Sequence, residues 1–490
     1  MRRRPYTLLV ALTSVSMLSA ACGLKPAQLA ELRAAGTTVQ SDASVNVVGG
    51  APGPLAATSP GSAATRSGPG STGLPGSPTT TGLPPVLAVR HSTGSGPSRQ
   101  EVAAAAPVGK CGMVAGAAST GITSSTINIG VHAPQTGTGA PLPPSFADGV
   151  GIYWKTHKVC GRTVNVDFQD DKYTPPTARA VCEPMSRRNF LIVGAAGTDQ
   201  IQSCATDPAI AGQGVPYLSS GVTTNGLAGL ANYFAISLTF AQQGDLVLKN
   251  AVNQGYAKGH WAVVTMRTDN TRDAREAILA TLTGAKGKAA GVSFDPSQDD
   301  IQVDATNDSG LQSRAVQTGT TLATRRYDVV FFAASPGYFL YMSQGAAKQG
   351  FTGQYTGPGV SQTAVTVAQL ICNGNPTIKA NFLAPYPGID RATDEFKAAT
   401  GGKYDDIYWS LWGMSQMIDQ ALQASASLTR PDFIASLQKA NLPGGVYAPM
   451  RFNGGHFGGT ATYSQKVNCT ETEPNQTQPG SWDTVGEMFS

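Results

Sequence analysis

Between residues 123 and 333 the chain runs twice through one alternation, a short apolar segment of strand length followed by a longer segment with helical spacing. The first series reads as strands at 127–132 (INIGVH), 163–168 (TVNVDF), 190–193, 215–219 (VPYLS) and 233–236, with helices at 145–155 and 176–188. After a helix at 240–251 the rhythm restarts, with strands at 261–266 (WAVVTM), 289–294 and 327–333 (YDVVFFA) and helices at 271–282 and 309–323. Such alternation is the sequence form of a parallel sheet, because parallel neighbours need a crossover and a helix supplies it. Two series predict an α/β chain of two doubly wound parallel-sheet lobes. Ligands in such sheets sit beyond the carboxyl ends of the strands, so a cleft between the lobes is expected. The tail starts no third series: 405–423 is a long aromatic helix, 431–440 a shorter one, and 447–452 with 460–466 reads as a closing strand pair. Tyr408, Trp409 and Trp412, at helical spacing, read as packing residues in preference to a ligand stripe.

The chain ahead of this body is different material. Arg2, Arg3 and Arg4 precede a short apolar run at 8–18, then Ser19, Ala20, Ala21 and Cys22. That order resembles a bacterial lipoprotein signal (residues 1–21) in which Cys22 is lipidated, although Ser19 stands where a branched apolar residue is usual. From 51 to 100, Gly, Pro, Ser and Thr supply 33 of 50 positions and no Asp or Glu occurs. A segment of that composition cannot bury enough apolar surface to offset its ordering entropy, so 22–110 is expected to be a disordered linker. Without the three leading arginines the basic count is 32 against 31 acidic residues, which argues against nucleic acid as a partner. Beyond Cys22 there are six cysteines, an even number that in an exported protein favours disulfides over a metal site.

Catalysis finds little support. His91, His132, His157, His260 and His456 are scattered, with no His-Glu-x-x-His, Walker loop or Gly-x-Ser-x-Gly elbow, and Asp170 with Asp171 reads as a turn and helix cap. No catalytic residue, metal or cofactor is therefore assigned.

From about Gly121 onward the chain resembles the branched-chain amino acid (leucine/isoleucine/valine) receptor family of ABC importers, extracellular solute-binding proteins of the type I periplasmic fold. The matching stretches are GITSSTINIGVHAPQTG, QDDKYTPPTARAVC, IVGAAGTDQIQSCA, VPYLSSGVTTN, YDVVFFAASP, YDDIYWSLWGMSQMIDQAL and MRFNGGHFGG, in that order. The resemblance implies a Venus-flytrap with lobe 1 at 111–238 plus 388–441 and lobe 2 at 239–387 plus 442–490. The chain would leave lobe 2 near 383–387 and return near 442–447. It also implies a small-molecule solute, an ABC permease as membrane partner, a monomer, and a location at the extracellular face of the cytoplasmic membrane. A ligand-binding sensory module that signals to a partner receptor would share the fold.

The family pattern directs attention to two loops of lobe 1. Thr198 and Asp199 follow the third strand at a helix N-terminus, which favours an anion. Ser220, Val222, Thr223 and Thr224 follow the fourth strand and resemble the loop that holds an α-carboxylate and amine. Asn270, Ser335 and Tyr338 are the lobe 2 candidates, and Leu142 stands where the family often has an aromatic wall. Where amino-acid receptors present a carboxylate after Gly-Pro, this chain has Gly359, which weakens a branched-chain amino acid and raises amides, urea-like compounds and carboxylic acids. On the inferred fold Cys111 would pair with Cys160, Cys182 with Cys204, and Cys372 with Cys469.

Overall fold

The computed structural model describes residues 120–136, 145–305, 309–359 and 365–490. The signal segment, Cys22, the linker, Cys111 and Leu142 lie outside the described residues. No helix among the described residues is long and apolar enough to cross a membrane.

The first series folds into a six-stranded sheet of β1 (Thr126–Ala133), β2 (Lys158–Val159), β3 (Arg162–Asp170), β4 (Leu191–Gly194), β5 (Tyr217–Ser219) and β6 (Tyr233–Ala235), in the order β2-β3-β1-β4-β5-β6. All its pairings are parallel except β2 with β3. Every residue of β4 is buried, as expected of a strand covered on both faces. One face packs against the helix Asp406–Ala424, whose Trp409 and Trp412 lie in the same core as Val131, Leu191 and Leu218. The other carries the helices Pro175–Ser186 and Thr198–Ala205, joined by the Cys182–Cys204 disulfide with Cα atoms 5.9 Å apart.

The second series builds an eight-stranded sheet from β7 (Gly259–Met266), β8 (Val292–Ser293), β9 (Asp300–Val303), β10 (Val329–Ala333), β11 (Gln354–Pro358) and β12 (Lys379–Ala384), extended by two strands from the tail. Between these parts a two-stranded ribbon pairs β13 (Asn441–Leu442) with β14 (Met450–Arg451). The tail strands are β15 (Thr462–Asn468), antiparallel to β12, and β16 (Ser481–Phe489), antiparallel to β15. The Cys372–Cys469 disulfide, Cα atoms 5.3 Å apart, fixes the end of β15 to the helix Val365–Gly374. Cys160 is disulfide-bonded as well; its expected partner Cys111 lies outside the described residues.

Several local expectations need correction. The helix read at 145–155 is a five-residue helix, Ser145–Gly149, then a 3-10 turn, Tyr153–Lys155, because Gly149 and Gly151 interrupt it. Gly149 is also a close approach: a Cβ there would lie 2.9 Å from Leu411 Cδ1. The strand pair read at 447–452 and 460–466 does not form as such, since β14 pairs with β13 and β15 with β12 and β16. Leu442, Val446, Tyr447, Met450 and Phe452 pack into the first core, so the chain rejoins the second sheet at Thr462, later than the stretch 442–447. β2, β9, β11, β12, β13 and β16 carry no counterpart in the sequence reading.

Three segments pass between the sheets: residues 236–239 after β6, 385–388 after β12, and 458–461 before β15. The last joins the first sheet before crossing, with Ala235 N donating to the His456 carbonyl at 2.8 Å and Gly458 N to the Ala235 carbonyl at 3.0 Å. Here glycine is required by proximity. A Cβ on Gly459 would lie 2.1 Å from Leu238 N, and one on Gly221 2.3 Å from the Leu238 carbonyl oxygen, so both pack directly on the first crossing. The helix beyond it starts with a reciprocal cap, Thr239 accepting from Gln242 N while the Gln242 side chain accepts from Thr239 N.

Candidate functional site

A cavity of about 600 Å³ opens where the carboxyl ends of the two parallel sheets face each other. Lobe 1 contributes residues 173–175, beyond β3, and 198–200, beyond β4. Lobe 2 contributes residues at or just beyond the ends of β7, β9, β10 and β11, among them Met266, Asn270, Val303, Ser335 and Pro358. The two walls differ in chemistry. The lobe 1 side offers mainly the polar groups of Tyr173, Thr174, Thr198, Asp199 and Gln200, whereas lobe 2 sets an apolar strip of Phe240, Met266, Val303, Leu311 and Pro336 beside polar residues that include Arg267, Asn270 and Ser335.

The lobe 1 wall is shaped by turns with unusual backbones. After β3 the chain turns through Lys172 and Tyr173, both left-handed at φ 52° and 57°. The turn is held from below by Asp171, which accepts from Tyr173 N at 2.9 Å and lies 2.8 Å from His132 Nδ1. His132 Nε2 in turn is 2.6 Å from the Tyr217 hydroxyl, so a fully buried Asp-His-Tyr chain underlies the wall without lining the cavity. Its neighbour Asp170 accepts from Thr136, Gln135 N and Lys172 N. Burial pushes the Asp170 carboxyl up, but those hydrogen bonds outweigh it and hold the group below the usual carboxylate range. Both acids thus act as turn-builders, consistent with the reading from sequence. His132 also lies beside the sulfurs of Cys182 and Cys204, a trio with metal-ligand proximity, but the two cysteines are consumed by their disulfide.

Beyond β4 the helix Thr198–Ala205 starts at Gly197, left-handed at φ 85° and overlaid by the Gln200 side chain, leaving a Cβ no room. Asp199 occupies the first turn, where the helix dipole favours a negative charge, and projects to the opposite lobe, where Asn270 Nδ2 donates to it. Burial nevertheless raises the Asp199 carboxyl above its ordinary value, with the Asn270 bond opposing that rise.

Four residues proposed from sequence therefore meet at the cavity: Thr198, Asp199, Asn270 and Ser335. Ser335 caps the helix Pro336–Lys348, accepting from Tyr338 N at 3.4 Å. The loop after β5 does not line the cavity. Ser220, Val222 and Thr223 are buried, and Ser220 Oγ is 3.4 Å from the Tyr447 hydroxyl. Thr224 instead ties the lobes together, donating from its N (2.6 Å) and Oγ1 (3.0 Å) to Asp273 Oδ2. Asn225 adds a bond from Nδ2 to the Asp269 carbonyl. Tyr338 is buried in the second core, its hydroxyl 2.7 Å from Thr318 Oγ1. Sequence reasoning missed Tyr173, Thr174, Met266, Val303 and Leu311; the apolar end of the WAVVTM run was the available signal for Met266.

Residues 126–473 match the protein family described as periplasmic binding protein. Among solved structures the chain is similar to a fatty acid ABC transporter substrate-binding protein from Thermomonospora curvata, at 18% identity and a TM-score of 0.61, covering 76% of this chain and 94% of that one. A solute binding protein of an ABC transporter from R. palustris, in complex with 4-hydroxybenzoate, superposes at 16% identity and a TM-score of 0.58, covering 74% and 97%. A leucine binding protein from Thermotoga maritima does so at 14% identity and a TM-score of 0.56, covering 74% and 98%. No curated protein sequence matches the chain. With the match spanning most of the polypeptide and two facing parallel sheets around one cavity, the chain belongs to the periplasmic binding protein family.

Proposed function

We propose that the chain is the solute receptor of an ABC importer, capturing a small carboxylate or amino-acid-like molecule between its lobes and presenting it to a membrane permease. The observation that carries this reading is the cavity of about 600 Å³ walled by strand ends of both lobes, with polar groups from both and an apolar strip on lobe 2. A small amphiphile fits such a site, with its head toward Thr198 and Ser335 and its body along Met266 and Val303. The solved relatives named above, a fatty acid transporter component and proteins of 4-hydroxybenzoate and leucine, support a solute of that size and character. Export and lipid attachment at Cys22, with residues 22–110 as a tether, are part of the proposal and rest on the order of residues in the leading segment.

The test is a thermal-shift screen of amino acids, amides, ureas, fatty acids and aromatic acids. A solute bound only by the folded form adds RT ln(1 + [L]/Kd), about 2.7 kcal/mol at a hundredfold excess over Kd. A concentration-dependent rise in Tm with one chemical class supports the receptor; a flat response to every class removes it. Radiolabelled palmitate incorporated by the wild type and lost in Cys22→Ala tests the anchor.

A further inference from the structure

Asp199 is an acid of the cavity with no basic partner among the described residues. It lies in the cleft, half-buried, and among the described residues its only hydrogen-bond donor is Asn270, a neutral amide from the facing lobe. No Lys, Arg or His pairs with it among those residues, although other cleft-side acids are matched: Asp269 with Arg272 at 3.0 Å, and Asp304 with Arg314 at 3.9 Å. Asp273, which also faces the lobe boundary, is occupied by Thr224. The guanidinium nearest to the site along the chain, Arg267, lines the cavity but is exposed and donates to the Gln302 carbonyl at 3.3 Å. On its own lobe the Asp199 carboxylate helps burial to keep the Tyr173 hydroxyl protonated, and burial disfavours the negative charge of Asp199 itself.

A carboxylate held in a closing cleft with one neutral donor is destabilised until a cation or several donors reach it. The same group repels a solute carboxylate placed beside Thr198, and it already occupies the first turn of the helix at 198–205, where an incoming anion would otherwise find favourable N–H groups. Beyond β11, whose last residue Pro358 lines the opposite wall, Gly359 has no side chain to serve as a counter-charge.

We propose that Asp199 selects the solute, pairing its carboxylate with a protonated amino group carried on an apolar body that lies against Met266, Val303 and Leu311. The inference rests on the receptor reading above. In this geometry Asn270 is a positioning residue that aims the Asp199 carboxylate across the cleft, and lobe closure excludes water from the ion pair. Because the solute cation favours ionised Asp199, affinity for amines rises with pH as Asp199 loses its proton, and an acid without an amine behaves in the opposite sense.

The experiment uses the full chain with matched probes: leucine, isoamylamine and benzylamine against 4-methylpentanoate and benzoate, followed by thermal shift and calorimetry from pH 4.5 to 7.5. Amine-bearing probes are expected to raise Tm, to bind more tightly as pH rises, and to lose at least about tenfold in affinity in Asp199→Asn, the loss of one charge-assisted hydrogen bond. Asn270→Ala, which keeps the charge, should retain the preference for amines at reduced affinity. Acid probes binding better than amines, with affinity that falls as pH rises or improves in Asp199→Asn, would overturn the selection by Asp199 while leaving the receptor standing. Amines that bind equally well to the wild type and Asp199→Asn would overturn it too. No shift with either set would overturn the selection by Asp199, and a flat response across the wider screen above would sink the receptor with it.

Discussion

Replacing Asp273 by Ala separates lobe closure from lobe folding. In the structure Asp273 Oδ2 accepts two hydrogen bonds from the opposite lobe, from Thr224 N at 2.6 Å and Thr224 Oγ1 at 3.0 Å, while Oδ1 accepts from Ala274 N within its own helix. The first two exist only when the lobes are together. A hydrogen bond to a charged group contributes about 1.5–3 kcal/mol when its alternative is water, and the two donors share one oxygen, so the pair is assigned about 1.5–3 kcal/mol of closure free energy in total. If the solute-free protein rests mainly open, removing that amount raises the apparent Kd by roughly 10- to 150-fold, because solute binding must then supply the whole of closure. The intralobe bond and the favourable first-turn charge contribute only about 0.3–1 kcal/mol to the helix, so Tm without solute should fall by a few degrees at most. Calorimetric Kd and solute-free Tm are measured on the same preparation, with Asp273→Asn as a milder variant that keeps one acceptor. A Tm drop with unchanged Kd would refute the reasoning, since the Thr224–Asp273 contact would then belong to folding alone.

Three further outcomes follow from the geometry. Glu473 is buried next to Asp406 and Asp405; burial first and then these neighbours push its carboxyl well above the ordinary value of 4.5. Its native pKa exceeds the unfolded one, so the folded state binds the extra proton and stability falls as pH rises from about the unfolded value toward the native one. Glu473→Gln should therefore raise Tm at pH 7 and converge with the wild type at pH 4; a constant difference at both pH values would contradict this. Gly459→Ala places a Cβ 2.1 Å from Leu238 N and must displace the first crossing, at a cost of about 1–3 kcal/mol read as a lower urea midpoint. Replacing Cys372 and Cys469 together by Ser frees a loop with a sequence separation of 97, which on chain-entropy grounds lowers unfolding free energy by about 4–5 kcal/mol, and an unaltered urea midpoint would exclude that role.

The fold was legible wherever burial on both faces forces a continuous apolar run. WAVVTM and YDVVFFA became β7 and β10, and β4 formed at the first Gly-bounded run, because each is a central parallel strand with no solvent face to disguise it. β16 (SWDTVGEMF) escaped notice because it is an edge strand with a half-exposed, charged pattern, and β9 because its four residues begin with Asp300 in an acidic turn. The return crossing was set too early because the apolar residues from Leu442 to Phe452 carry no mark of which core they enter; only packing against the helix Asp406–Ala424 decides that.

The site divided along similar lines. Thr198, Asp199, Asn270 and Ser335 were readable because they follow strands directly, and a strand's carboxyl end fixes where the next residues emerge. The loop from Ser220 to Thr224 also follows a strand, yet Gly221 lets it lie flat on the Leu238 crossing, which turns Thr223 inward and sends Thr224 to Asp273. That consequence of a missing Cβ is tertiary and leaves no trace in local sequence. The apolar wall of Val303 and Leu311 depended on β9 and was lost with it.

The most direct trial is a crystal structure of the protein soaked or grown with whichever probe raises its Tm most. The account predicts solute density in the cavity between the two sheets, touching Thr198 or Asp199 from one lobe and Asn270 or Ser335 from the other. Density lodged anywhere else, with that cavity holding only water, would contradict it.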